Sequence, residues 1–415
     1  MQPKIYSFDQ HQISLNQIDK DALYVMEKLS LAGYTAYLVG GGVRDLLLKQ
    51  KPKDFDISTS AKPEEIKKLF RNCLLIGRRF RLAHIRFGRK ILEVSTFRAG
   101  DNETEELIIR DNEWGSIEED VKRRDFTING MFYDPATETV IDYAEGYPDI
   151  ERKLVRTIGI PFARFKQDPV RMIRLLKFQA RFGLEVDKST YEALLECRAE
   201  ILKSAPARIL EEFFKMLESG HSALFFKLMT EHGLLQLMTP VLAEFLEKVD
   251  GGEVYSYLEE IDRMCKESPE KSIERSVLLS CIVYPLFTRS IQTHYVDRNR
   301  MPHLGEIQNE AYNVVGETFH PFFHIPRRIA MSMVSILTTQ YRLTPLEKRR
   351  PGRLRVPGTP EFGLALQFLQ IRSCIEHGLQ KVCEDWNEVY KKDETPEAPE
   401  EKPRRRRRPR KRAAE

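Results

Sequence analysis

Three consecutive glycines between an apolar strand pattern and a helix pattern constrain this chain most. They lie in Leu38-Val-Gly-Gly-Gly-Val-Arg-Asp45, and Asp54-Phe-Asp56 follows roughly ten residues on. A glycine turn opening a short helix can turn backbone N–H groups toward a phosphate. Two carboxylates one residue apart on a strand point the same way, because strand side chains alternate. Gly-rich turns and Asp-x-Asp triplets are each common. Together they form a phosphate cradle beside acids able to hold Mg²⁺, the equipment for phosphoryl or nucleotidyl transfer.

At 415 residues the chain is long enough for about three domains. Its 41% hydrophobic and 31% charged content describes a soluble globular protein. No apolar run reaches membrane-spanning length, and Met1 to Lys20 is mixed and polar, so the sequence predicts a cytoplasmic protein. The six cysteines include no C-x-x-C pair and the histidines no H-E-x-x-H, which argues against a zinc site, a disulfide framework or a zinc hydrolase.

The formal charge of +4 hides an asymmetry. Arg404, Arg405, Arg406, Arg407, Arg408, Arg410, Lys411 and Arg412 cluster at one end, and without those eight the remainder is at −4. Such a tail binds polyanions such as RNA through counterion release, without sequence specificity.

The pattern predicts strands over Tyr34–Gly40 and Lys53–Ser58, with a short helix over Gly42–Lys49 between them. A helix over Lys62–Arg71 capped by Ser60 follows, then extended segments at 74–76 and 83–87. Gly88-Arg89 turns a hairpin into a strand over Lys90–Phe97. Ala99–Asn112 reads as a surface loop. From about Phe162 the periodicity is helical, as in Val170/Ile173/Leu176/Phe178 and Leu210/Phe213/Phe214/Leu217, with no further sheet. Arg349–Pro360 reads as an irregular connection, Glu361–Tyr390 as helix, and 393–415 as a disordered acidic linker and basic tail.

Further groups carry chemistry. In Lys90-Ile-Leu-Glu-Val-Ser-Thr-Phe-Arg98, Glu93 lies on the face opposite Leu92 and Val94, and completes a three-carboxylate cluster if its strand neighbours that of Asp54 and Asp56. Arg123-Arg-Asp-Phe-Thr-Ile-Asn129 offers guanidinium forks suited to triphosphate oxygens, with Asp125 and Asn129 beside them. Asp168-Pro-Val-Arg-Met-Ile-Arg174 spaces Asp168, Arg171 and Arg174 so that the first two share a helix face, either to pair with each other or to read a base edge. Arg208, Glu212 and Lys215 read as a solvated helix face.

Gly40-Gly-Gly-Val-Arg-Asp45, Asp54-Phe-Asp56, Arg123–Asn129 and Asp168–Arg174, four motifs in this order and spacing, resemble the bacterial poly(A) polymerase and tRNA CCA-adding family, class II of the polymerase-β-like nucleotidyltransferases. Leu75-Ile-Gly-Arg-Arg-Phe-Arg-Leu-Ala-His84 and the Arg-rich tail resemble its poly(A) polymerase branch. The resemblance implies an α+β chain with a mixed-sheet head (residues 1–150), a helical neck (151–220) and a helical body (221–392). It implies AMP transfer from ATP to RNA 3′ ends by a two-metal Mg²⁺ mechanism. It gives Asp54 and Asp56 as metal-binding catalytic acids, with Glu93 and Asp125 also catalytic. Gly41, Gly42, Arg44, Arg124, Asp168, Arg171 and Arg174 then bind the nucleotide. Gln167 replaces a common Glu, and Lys177 a common Arg, so Lys177 receives no nucleotide role. The rival readings are a CCA-adding enzyme and a non-catalytic RNA-binding protein on the same scaffold.

Overall fold

The computed structural model describes residues 2–77, 82–99, 113–248, 251–346 and 356–394. The chain divides into two compact units. One holds residues 1–272 and 316–325, the other 273–315 and 326–415.

The first unit is built on an eight-stranded sheet. Its strands are β1 (Lys4–Tyr6), β2 (Ala36–Val39), β3 (Ile57–Thr59), β4 (Cys73–Ile76), β5 (Leu82–Phe87), β6 (Lys90–Thr96), β7 (Met131–Asp134) and β8 (Thr139–Asp142). They lie in the order β1-β8-β7-β2-β3-β6-β5-β4, with β3 and β6 parallel and the other pairs antiparallel. The mixed sheet agrees with the sequence reading. The hairpin turn also agrees, with Gly88 at φ +61°.

Leu38, Ile57, Val94, Ala83 and Ile85 are fully buried on one face, beneath the helices Lys20–Leu31 and Pro63–Leu69. On the other face Val39, Phe97 and Phe132 pack against Val121 and Ile158, so the helix Ile117–Lys122 covers the sheet there.

Several local expectations are corrected. The strand expected over Lys53–Ser58 begins only at Ile57. Its partner β2 ends where Gly40 (φ +62°) turns into the helix Gly41–Leu47, so the last backbone bond is Val39 N–H to Asp56 O at 3.0 Å. Asp54 and Asp56 therefore precede the strand. The helix at Pro63 is capped by Lys62, whose N–H donates to Glu65, while Ser60 Oγ accepts from Thr35 N. A small parallel ladder, Leu154–Val155 with Glu185–Val186, adds sheet where none was expected.

Helices follow, including Pro161–Gln167, Val170–Phe182, Lys188–Cys197 and Pro206–Leu217. Phe178 packs edge-on against Phe126, which ties the helix Val170–Phe182 to the head at 5.6 Å. The second unit is helical among its described residues. The segment expected as one helix over Glu361–Tyr390 is two, Phe362–Ile375 and Gln380–Glu394, separated at Gly378 (φ +89°). Leu343, Phe362, Leu366, Leu369, Cys383 and Trp386 form its core cluster. Asp393 and Glu394 belong to the last helix rather than to a linker. Residues 100–112, 347–355 and 395–415, and with them most of the expected loops and the basic tail, lie outside the described residues. No helix among the described residues is long and apolar enough to cross a membrane.

The hairpin β7–β8 ends on Asp142, whose carboxylate accepts from Ala144, Gly146 and Tyr147 N–H at 2.9–3.0 Å and starts the helix Gly146–Glu151. Gly146 abuts the turn Thr127–Asn129 so closely that a Cβ there would sit 2.2 Å from the Thr127 carbonyl oxygen. Gly146→Ala is therefore expected to lower unfolding stability by about 2 kcal/mol, measured by urea denaturation.

Candidate active site

The sheet and the helices after it enclose a cleft of about 570 Å³. Seven arginines line it (Arg44, Arg98, Arg123, Arg124, Arg171, Arg174 and Arg208), together with Asp56, Glu93, Asp125 and Asp168. The four sequence motifs converge here, each arriving from a different element.

The glycine turn supplies one margin. Gly40 and Gly41 line the cleft, and a Cβ on Gly40 would lie 3.2 Å from Arg124 Nη1. Gly42 instead faces inward, against Leu38 and the Asp54 carbonyl. Arg44 is buried (5% exposed) and its orientation is over-determined. Nε and Nη2 donate to Asp45 Oδ1, Nη1 donates to Asn129 Oδ1 at 2.6 Å, and the guanidinium lies over Phe178 and Phe182. Asp45 also receives Arg181 at 3.0 Å.

The carboxylates supply the opposite margin. Parallel pairing of Ile57 with Val94 sets Asp56, the residue just ahead of β3, next to Glu93 on β6. Asp54 is exposed nearby and does not line the cleft. Asp56 keeps an exposed edge, yet desolvation by the protein atoms crowded around it, then repulsion from Glu93 and Asp54, pushes its carboxyl up to about 6, although Arg124 pulls the other way. His84, directly across from Glu93 on β5, meets it at 3.3 Å. Among the described residues no three such side chains converge as a complete metal site. The donor set still fits Mg²⁺, which is commonly held by one or two carboxylates with substrate phosphates and water completing its shell. The mutual repulsion at Asp56 is what a divalent cation would relieve.

Asp125 does not join that acidic margin. Its Oδ1 accepts from Phe126 N and Asn129 Nδ2, and its Oδ2 faces Arg174 at 3.5 Å. Burial alone would raise its pKa, but Arg174 and these hydrogen bonds outweigh it and hold the carboxyl below its ordinary range. The geometry favours Glu93 over Asp125 as the third acid of the carboxylate margin.

Two residues that organise the cleft were not read from the sequence. Asp120, 0% exposed, accepts from Arg123 Nε at 2.8 Å and from Arg124 Nη2 at 2.8 Å. Burial penalises its charge, but Arg124 and Arg123 overcome that penalty and depress its pKa. Arg164 donates to the Arg124 carbonyl and to Gln167 Oε1, both at 2.9 Å. The i,i+3 and i,i+4 spacing of Asp120 from the two arginines was the available signal.

Of the set Arg208, Glu212 and Lys215, the first and last are exposed as expected, but Glu212 is not. Glu212 is buried, takes Arg174 Nε at 3.3 Å and pairs with Lys177. Its burial is outweighed by Lys177 and Arg174, which lower its pKa. Lys177 is thus committed to an ion pair, consistent with its lack of a nucleotide role. Arg208 donates to Asp168 Oδ2 at 2.9 Å, whereas the buried Asp168 Oδ1 accepts no hydrogen bond from the described residues. Arg171 donates to the carbonyls of Arg164 and Arg123 at 3.2 and 3.1 Å. Arg78 to Arg81, and Arg404 to Arg412 of the basic tail, lie outside the described residues.

Family models for the poly A polymerase head domain, for a probable RNA and SrmB-binding site of polymerase A, and for the polymerase A arginine-rich C-terminus match residues 36–156, 183–246 and 302–414. Poly(A) polymerase I of Escherichia coli O6:H1 is 37% identical, over 98% of this chain and 91% of that protein. The Haemophilus influenzae protein of the same name is 35% identical, over 89% and 84%. A CCA-adding enzyme of Bacillus velezensis is 37% identical over 52% of this chain and 54% of its own length. In fold, the chain resembles the Bacillus stearothermophilus CCA-adding enzyme solved with CTP, with a TM-score of 0.62, 23% identity, and coverage of 90% and 82%. The chain belongs to the bacterial poly(A) polymerase family.

Proposed function

We propose that this chain is a polynucleotide adenylyltransferase that adds AMP from ATP to RNA 3′ ends without a template. The observation that carries the reading is the buried, unpartnered Oδ1 of Asp168 at the end of an arginine-lined cleft. A buried acceptor favours a base edge that presents an amino group and penalises one that presents a carbonyl. Adenine and cytosine both qualify. The relatives matched over nearly the whole chain bear the name poly(A) polymerase I, which favours adenine.

In the reaction the RNA 3′-hydroxyl oxygen attacks the α-phosphorus. The new O–P bond forms as the bond to the β-phosphate bridge breaks, pyrophosphate leaves, and the hydroxyl proton is lost to water. Gly41, Arg44 and Arg124 flank the triphosphate, with Gly42 allowing the turn. Asp168, Arg171 and Arg174 hold the adenosine, and Asp125 orients Arg174. Asp54 and Asp56 would hold Mg²⁺ beside Glu93, supplying charge neutralisation at the phosphates. The chain's own work is positioning and electrostatic stabilisation. The head spans residues 1–150, and the neck (151–220) and body (221–392) hold the RNA. The tail from Arg404 to Arg412 adds salt-sensitive affinity. The setting is the cytoplasm, where such tails mark RNA for decay.

Asp54→Ala with Asp56→Ala is expected to abolish AMP addition, by about a thousandfold or more, while the thermal melting curve stays close to that of the parent. Asp168→Ala should raise KM for ATP by roughly tenfold and narrow the preference over GTP and UTP, read from single-nucleotide extension. Primer extension with an unstructured RNA and a tRNA lacking CCA, offered ATP and CTP separately and together, tests the reading directly. Long ATP-only tails on the unstructured RNA are expected. Addition of only CCA, confined to the tRNA, would overturn it.

A further inference from the structure

We propose that the 3′-terminal nucleotides of the RNA lie across the exposed half of the head sheet, over β6, β5 and β4, with Glu93 at the inner edge of their path. The inference rests on the nucleotidyl-transfer reading and adds to it a binding surface in the head, apart from residues 183–246 matched by the RNA-binding family model.

The argument begins with the register of the strands. On β6, Ile91, Glu93, Ser95 and Phe97 share one face. On β5, His84 lies opposite Glu93 and Arg86 opposite Ile91, and on β4, Leu74 lies opposite His84 and Ile76 opposite Leu82. Along β6 this one face changes character. Phe97 is buried in the core beside Val121, Ser95 and Glu93 line the cleft, and Ile91 is exposed. Leu74, Ile76 and Ile91 are 45%, 40% and 46% exposed, and Arg86 is exposed as well. Their neighbours on the opposite face, Ala83, Ile85, Leu92 and Val94, are core. The result is an apolar platform with a cation, continuous with the cleft through Leu82, Ser95 and Glu93.

The chemistry then fixes what lies on it. Nucleotidyl transfer proceeds by in-line displacement, so the attacking oxygen and the leaving pyrophosphate stand on opposite sides of the α-phosphorus. In strand order the glycine turn follows β2, Asp56 precedes β3 and Glu93 lies on β6, so with the turn, Arg44 and Arg124 taken as the triphosphate side, Asp56 and Glu93 form the other. The hydroxyl must therefore reach the α-phosphorus from beyond Glu93, where β5 and β4 lie. An apolar surface accepts ribose and base faces of any sequence, and Arg86 suits a phosphodiester. His84, bonded to Glu93, stands where the path meets the acids and acts as a positioning residue for that carboxylate.

The test uses the full chain and a short RNA carrying thiouridine at its penultimate position, alongside a tRNA lacking CCA labelled in the same way. Photocrosslinking followed by mass spectrometry should map the label to 74–76, 82–87 or 90–93, with either RNA. Ile91→Glu and, separately, the milder Leu74→Ser should raise KM for the primer by roughly tenfold and a few-fold respectively, with KM for ATP unchanged. Crosslinks confined to other parts of the chain, or wild-type primer KM in both folded variants, would overturn the proposal. If only the tRNA is extended, the adenylyl-transfer reading fails, while the crosslink position still decides the path of the RNA end.

Discussion

The cleft depends first on one buried carboxylate. Asp120 has no solvent exposure, and it is kept charged by a guanidinium fork on either side, Arg123 and Arg124. Removing one partner from such a buried ion pair costs about 3–5 kcal/mol, because a desolvated charge is left behind. The same arrangement aims two otherwise flexible side chains at the cleft before any ligand arrives. Arg124 then reaches Ser58 on β3 and the Asn129 carbonyl, and lies over Phe132. One helix turn therefore fixes the charged wall, the sheet and the asparagine that grips Arg44.

The bracing continues outward by backbone groups. Arg164 and Arg171, from the helices after the sheet, donate to the carbonyls of Arg124 and Arg123. The third motif and the fourth are thus linked by main-chain acceptors, which hold position regardless of the side chain they carry. The helix Pro206–Leu217 repeats the device with side chains, Arg208 holding one oxygen of Asp168 and Glu212 holding Arg174. Binding sites need such outer partners so that the contacting groups cost little reorganisation when substrate enters.

The sequence made the motifs legible because each packs rare combinations of glycine, acid and guanidinium into a few residues. Mixed-sheet architecture and the helical remainder followed from periodicity. What stayed hidden was set by partners distant in the chain. Nothing local says that Gly40 ends β2 early and so leaves Asp54 and Asp56 ahead of the strand rather than on it. Glu212 has the spacing of a surface ion pair, and only the packing of its helix against Val170–Phe182 makes it a buried acceptor. Asp125 is the one acid of its motif, yet its carboxylate is taken up by Asn129, the Phe126 N–H and Arg174. Charge and spacing name the candidates, and tertiary context assigns each acid to the carboxylate margin of the cleft or to the scaffold.

That division of acids explains the polarity of the site. The structural acids Asp45, Asp120 and Glu212 are buried and each is paired with arginine or lysine, so the cationic wall is neutralised from behind and presents its remaining field to the cleft. At Asp56 burial comes first and repulsion from Glu93 and Asp54 second, and against the pull of Arg124 they displace its carboxyl upward. An anion is drawn to one wall and a cation to the other. A nucleoside triphosphate with its divalent ion carries both charges in one molecule, and the separation of the walls orients it end to end. On the proposed reaction, the direction of displacement at the α-phosphorus follows from this charge layout of the sheet and its covering helix.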